Sequence, residues 1–175
     1  FETFWSDDMK KILLGATVAA SLAFAGASFA QTCTPSAPPI TGANSGQTLA
    51  AYDTCTATDQ LAVSCSGLNP IGPATDAIWS VTVGPGAHSG SFTIATSNGA
   101  YDLYAGLMSG SCSGASPCPL EADSAGPGGS ETLGPIDSLA NGTYFLLVTT
   151  FGAGCGPVTI TVPTVPVTLQ GFSVE

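Results

Sequence analysis

The chain has 175 residues, two Lys+Arg against twelve Asp+Glu, a formal charge of −10 and only 8% charged side chains. So few cations exclude nucleic-acid binding, which needs Lys and Arg to neutralise phosphates, and they exclude arginine clamps and lysine phosphate loops. With 44% hydrophobic residues and a mean hydropathy of +0.36, the chain is not a disordered polar tail.

In chain order, residues 1–8 precede Met9 and read as translation upstream of the initiator. Met9 is followed by Lys10 and Lys11, an apolar run over Ile12–Ala25 and the small-x-small site Ser28-Phe29-Ala30. A basic start, a short apolar middle and a small-residue end in that order predict a secretory signal peptide over 9–30, cleaved after Ala30. A membrane anchor fits less well, because Gly, Ser and Thr dilute the run and no basic stop-transfer residue follows. Ala30-Gln31-Thr32 ahead of Cys33 does not read as a lipidation site. The expectation is a protein that is secreted, extracellular or periplasmic, without membrane contact after cleavage. Both lysines leave with the signal, so the exported domain has no Lys or Arg and forms no Lys/Arg salt bridge.

Residues 31–46 are rich in Pro, Ser, Thr and Gly and read as an extended lead-in. A single β-sandwich domain is expected over 47–163, and 164–175 as a tail, with Pro163 and Pro166 bracketing a linker or edge strand. The only hint of a helix after Ala30 is 59–63. Strand signals dominate. Trp79, Val81 and Val83 alternate with Ile78, Ser80 and Thr82. Phe92 and Ile94 alternate with polar neighbours, and Tyr101, Leu103, Ala105 and Leu107 share one face while Asp102 and Tyr104 share the other. Asn98-Gly99 between these runs predicts a type I′ turn and a hairpin over 90–107. The run 143–150 is apolar on both faces, as a central strand would be, and Val158, Ile160 and Val162 alternate with Thr159 and Thr161. Thr48–Tyr52 and Glu131–Leu133 add two further short strands. About eight short strands with turn signals between them predict an all-β fold, an antiparallel sandwich or jelly roll.

Six cysteines follow the signal: Cys33, Cys55, Cys65, Cys112, Cys118 and Cys155. An even count in an exported chain reads as three disulfides. Proximity in sequence favours Cys112 with Cys118 and Cys55 with Cys65, leaving Cys33 with Cys155. No Cys-x2-Cys spacing and a single histidine argue against zinc.

Chemistry is sparse. His88, next to Ser89, is the one potential general base, and it sits in a Gly-rich loop that reads as solvated. No G-x-S-x-G string occurs. Carboxylate pairs drawn from Asp76, Asp102, Glu121, Asp123, Glu131 and Asp137 have no spacing that predicts glycosidase geometry, and surface charge is their simpler role. The expectation is therefore no enzyme, no catalytic residue and no required cofactor. Calcium is the more plausible use of the acids, with Glu121-x-Asp123 and Asp76 or Asp102 as ligands. Asn141-Gly142-Thr143 matches a glycosylation sequon but reads better as a turn leading into a strand. Tyr52, Trp79, Tyr101, Tyr104 and Phe151 could make a sugar-stacking platform, though aromatics at strand spacing are more often core. Tyr104, on the face of Asp102, is the first ligand-binding candidate.

Taken in order, 76–162 resembles the bacterial pre-peptidase C-terminal domain. The matching pieces are Asp76–Val81, Gly90–Ile94, Tyr101–Gly106, a small loop holding Cys112 and Cys118, Asn141–Val148 and the closing Gly156–Val162. The resemblance implies a compact jelly-roll module of secreted hydrolases that aids secretion or targeting to insoluble substrates. No catalytic domain precedes the module in these residues, so a stand-alone accessory or structural copy is expected. Its partner would be an extracellular polysaccharide or protein surface.

Overall fold

The computed structural model describes residues 32–61, 74–150 and 154–165. The expected signal peptide, most of the expected tail, Cys65 and Phe151 lie outside the described residues. Eight strands are described: β1 Tyr52–Asp53, β2 Ala77–Val83, β3 Phe92–Thr96, β4 Leu103–Ser109, β5 Leu120–Ala122, β6 Glu131–Leu133, β7 Gly142–Thr150 and β8 Pro157–Thr161. They form two antiparallel four-stranded sheets, ordered β1-β8-β3-β6 and β2-β7-β4-β5. First pairs with last, second with seventh, third with sixth and fourth with fifth. That nesting is one long hairpin rolled up on itself, the topology of a jelly roll.

The alternation read from the sequence sets the faces. Trp79, Val81 and Val83 of β2, Leu103, Ala105 and Leu107 of β4, Leu146 and Val148 of β7, and Val158 and Ile160 of β8 meet in the main core between the sheets. The central β7 is apolar on both faces because its sheet is buried on both. A second, smaller cluster of Leu61, Ile78, Tyr104, Met108 and Leu147 lies on the outer side of that sheet.

The lead-in covers this outer cluster. Cys33 is bonded to Cys112 with Cα atoms 5.1 Å apart, and the Cys33 N–H donates to Cys112 O at 3.0 Å. Ser36 and Ala37 N–H groups donate to Ile78 O, and Ile40 adds a short parallel pairing to Val81 at the free edge of β2. Ile40 is fully buried in the main core, so part of the lead-in is core.

Three expectations are corrected. First, 90–107 is not a hairpin: β3 and β4 lie in different sheets. Asn98 accepts from Ala100 N and donates to Cys155 O, and among the described residues no non-glycine residue has positive φ, so no type I′ turn forms at Asn98-Gly99. Gly99 is instead where another loop passes. A Cβ on Gly128 would lie 2.8 Å from Gly99 Cα, and the Gly128 N–H donates to Tyr101 O. Second, the described 59–61 are not helical. Third, the disulfide pairing differs throughout. Cys33 pairs with Cys112 and Cys55 with Cys155, the latter with Cα atoms 4.9 Å apart. Cys118 is disulfide-bonded as well, and not to Cys112. Proximity in sequence misleads because a rolled-up hairpin brings its two distant arms together. These disulfides place the fold in an oxidising environment. Among the described residues, no helix is long and apolar enough to cross a membrane.

Candidate functional site: a cleft at the open edge of the sandwich

The lead-in and β1 lie at the same end of the two sheets, and between them is an open cleft of about 300 Å³. Pro38 and Pro39 form one wall, Leu49, Ala50 and Tyr52 the other, and Trp79 closes the bottom. The second wall owes its shape to a register change. Between the Thr48–Thr161 and Tyr52–Val158 pairs one chain advances four residues and its partner three. The extra residue is a bulge that pushes the exposed Ala50 and Ala51 off the sheet. Tyr52 packs edge-on to Trp79, ring centroids 5.3 Å apart at 68°, and its hydroxyl donates to Ser36 O at 2.9 Å. Trp79 is only 3% exposed and offers the cleft an edge, while Tyr52 is half-buried. No carboxylate, histidine or cysteine lines the cleft. It can bury an extended, weakly polar chain against proline and aromatic surface.

The fold brings together two of the five aromatics named from sequence, Tyr52 and Trp79. Tyr104 is 2% exposed in the outer cluster, so it presents no stacking face to solvent. Its side chain does share the outer side of the sheet, but the lead-in and 58–61 lie over that side. Tyr101 is buried in the main core, and burial raises its pKa above the ordinary phenol value.

The acids divide. Asp76 is fully buried, and its Oδ2 accepts from Gln60 N at 2.7 Å and Leu61 N at 2.6 Å. Glu131 is fully buried too, and its carboxylate accepts from Ser124 N, Ser124 Oγ and Ala125 N, the last at 2.8 Å. Asp123 is exposed beside Asp102 and Glu131; burial, then the charges of these two neighbours, raises its pKa. Of the calcium candidates, only Asp102 and Asp123 are thus brought near each other. Glu121 sits on the edge strand β5 opposite Gly106, and Asp76 lies under 58–61. Among the described residues, no three His, Cys, Asp or Glu side chains are arranged to hold a metal ion. Asp137 Oδ1 accepts from Gly90 N at 3.1 Å. His88 Nε2 lies 2.8 Å from Leu139 O and Nδ1 3.2 Å from Gly86 O, so both ring nitrogens face carbonyls and neither touches the Ser89 hydroxyl.

No family model, curated protein or solved structure matches this chain.

Sequence reasoning missed the cleft. Its walls come from a proline pair in a segment read as lead-in and from two alanines at a bulge. Neither carries a periodic signal, and the walls are brought together by the burial of Ile40 and by the Tyr52 hydroxyl bond to Ser36 O.

Proposed function

We propose that the chain is a secreted, non-catalytic accessory module, similar in kind to pre-peptidase C-terminal domains. In this reading the cleft holds an extended extracellular polymer, a polysaccharide strand or a polypeptide. The observation that carries the binding reading is the Tyr52–Trp79 pair facing Pro38 and Pro39 across an open groove without acid–base groups. Sites of this kind are concave, mostly apolar and oriented by a few polar groups. Export is supported by the Met9–Ala30 pattern and by the disulfides.

The test is retention of the exported chain on chitin, cellulose and collagen, compared with Tyr52→Ala. Tyr52→Ala removes half of the aromatic pair at a half-buried rim position and is expected to abolish retention on whichever polymer the wild type holds. If the wild type is held by none of the three, the binding reading loses its support and a purely structural module remains. Intact mass of the secreted product tests export: cleavage after Ala30 and a gain of six hydrogens on reduction are expected from the six cysteines.

A further inference from the structure

The floor of the cleft holds an unused hydrogen-bond donor. Trp79 is 3% exposed, and its indole N–H has no hydrogen-bond partner among the described residues. The indole nitrogen is not one of the enclosed unpartnered atoms either, which are oxygens of Thr75, Asp76, Tyr101, Asp102 and Thr149. It therefore meets solvent, and the cleft is the open space that Trp79 lines. A tryptophan N–H this deep in a fold usually has an acceptor, because leaving it unpaired is costly.

The other polar side chains of the lining ask for the same kind of ligand. Asn44 lines the cleft too, and its Oδ1 accepts from Thr41 N at 2.9 Å and from Thr41 Oγ1 at 3.4 Å. Its carbonyl is thus taken, while its amide N–H groups have no partner among the described residues. The Tyr52 hydroxyl hydrogen is spent on Ser36 O. The remaining side chains, those of Pro38, Pro39, Leu49, Ala50 and Ala51, are apolar. The lining side chains therefore offer N–H donors and no free carbonyl or carboxylate. A ligand rich in acceptors and poor in donors completes such a surface. A sugar strand brings a proton on every hydroxyl, and each one buried here would need an acceptor that the side chains do not supply. A proline residue brings a carbonyl and no N–H. A proline-rich segment is also extended before it binds, so it loses little conformational freedom on docking.

Charge narrows the ligand further. The cleft itself is neutral, but Asp53 follows Tyr52 on β1 and is exposed, and no Lys or Arg occurs among the described residues. The surroundings attract cations and repel carboxylates on whatever extends beyond the cleft. We propose that the cleft takes a proline-rich polypeptide with basic flanks, one main-chain carbonyl of which accepts the Trp79 indole N–H. This rests on the cleft reading above and commits it to one of its two polymer classes.

A lysine-flanked oligoproline peptide, titrated into the exported chain and followed by NMR, reads the contact directly. Cleavage after Ala30 removes Trp5 and leaves Trp79 as the sole tryptophan, so one indole N–H signal reports the site. That signal is expected to move downfield and to saturate. By anisotropy of the labelled peptide, Trp79→Phe, which keeps an aromatic ring in the core and removes the N–H, is expected to bind about tenfold more weakly. The wild-type indole shift carries the same conclusion where Trp79→Phe does not fold. A glutamate-flanked oligoproline is expected to bind about tenfold more weakly at low ionic strength. An indole signal that stays in place while the peptide binds, a folded Trp79→Phe that binds as tightly as the wild type, or a glutamate-flanked peptide that binds as tightly as the lysine-flanked one would each overturn the proposal. Chitohexaose that binds where the peptide does not keeps the cleft and overturns the polypeptide. No binding of peptide, chitohexaose, chitin, cellulose or collagen removes the cleft reading, and this proposal with it.

Discussion

The Cys55–Cys155 disulfide is the sharpest test of how this fold is stabilised without Lys/Arg ion pairs. It joins residues 100 apart in sequence, at the point where the entry to β8 meets the 3-10 turn Thr54–Thr56 after β1. The junction is already made by hydrogen bonds. The buried Thr54 donates from N and from Oγ1 to Gly156 O, both at 3.0 Å, and its Oγ1 accepts from Gly156 N at 2.9 Å. Tyr52–Val158 and Asp53–Pro157 pair beside it. Removing the crosslink should leave this native geometry in place, so the loss falls mainly on the unfolded chain. Loop-closure entropy for about 100 residues gives a ceiling of about 4.7 kcal/mol. The Cys33–Cys112 crosslink encloses part of the same loop and already restricts the unfolded state. The expected loss for Cys55→Ala/Cys155→Ala is therefore about 2–4 kcal/mol, a large share of the ~5–15 kcal/mol typical of a domain. Urea unfolding followed by far-ultraviolet circular dichroism checks it. The midpoint should fall and the m-value should rise, because the unfolded chain expands when the tether goes. A loss below about 1 kcal/mol with an unchanged m-value would show that this loop is not what limits the unfolded ensemble, and the entropic argument would fail.

Four further outcomes are expected. Ile40→Ala should cost about 2–5 kcal/mol in global unfolding, since Ile40 is a core residue contributed by the lead-in; a cost under ~1 kcal/mol would mean that the lead-in opens separately. Glu131→Gln should cost about 1–3 kcal/mol by thermal unfolding, because an amide nitrogen replaces an acceptor facing the Ser124 and Ala125 N–H groups. Gly128→Ala should cost about 2–4 kcal/mol by urea unfolding, because φ is +75° and the new methyl would lie 2.8 Å from Gly99 Cα. Millimolar calcium should leave the melting temperature unchanged within about 1 °C, because Asp102 and Asp123 alone fall far short of the ~6–8 oxygens calcium takes. A larger upward shift would mean that this pair recruits further ligands.

The sandwich was legible because its strands carry period-two patterns with inward faces that need no partner to be recognised. Trp79, Val81 and Val83, or Leu103, Ala105 and Leu107, point to the core wherever the strands end up. Pairing was less legible. Asn98-Gly99 reads as a hairpin turn from local chemistry alone, yet the chain there crosses from one sheet to the other, and Gly99 is required by the approach of Gly128. The cysteines fail for the same reason. Nearness along the chain favours Cys112 with Cys118, while rolling the hairpin brings Cys112 under the lead-in and Cys55 beside the start of β8. The short edge strand β5 was not read at all, since Leu120–Ala122 is too brief to show alternation.

The acids show most clearly what composition hides. A fold whose described residues include no Lys or Arg looks as though its carboxylates must all be solvated, and Asp123 and Glu121 are exposed. Asp76 and Glu131 are nonetheless fully buried, and both are held by backbone N–H groups in place of cations. The two differ in completeness. Both Glu131 oxygens are bonded, and they fix the loop at Ser124 and Ala125. Asp76 takes both the Gln60 and Leu61 N–H groups on one oxygen, has the Thr149 hydroxyl beside its carboxyl, and fixes the strap 58–61, which Gln60 ties to Thr34 of the lead-in. With no lysine or arginine among the described residues to neutralise either group, backbone N–H groups take the place of cations, and each buried acid fastens one loop.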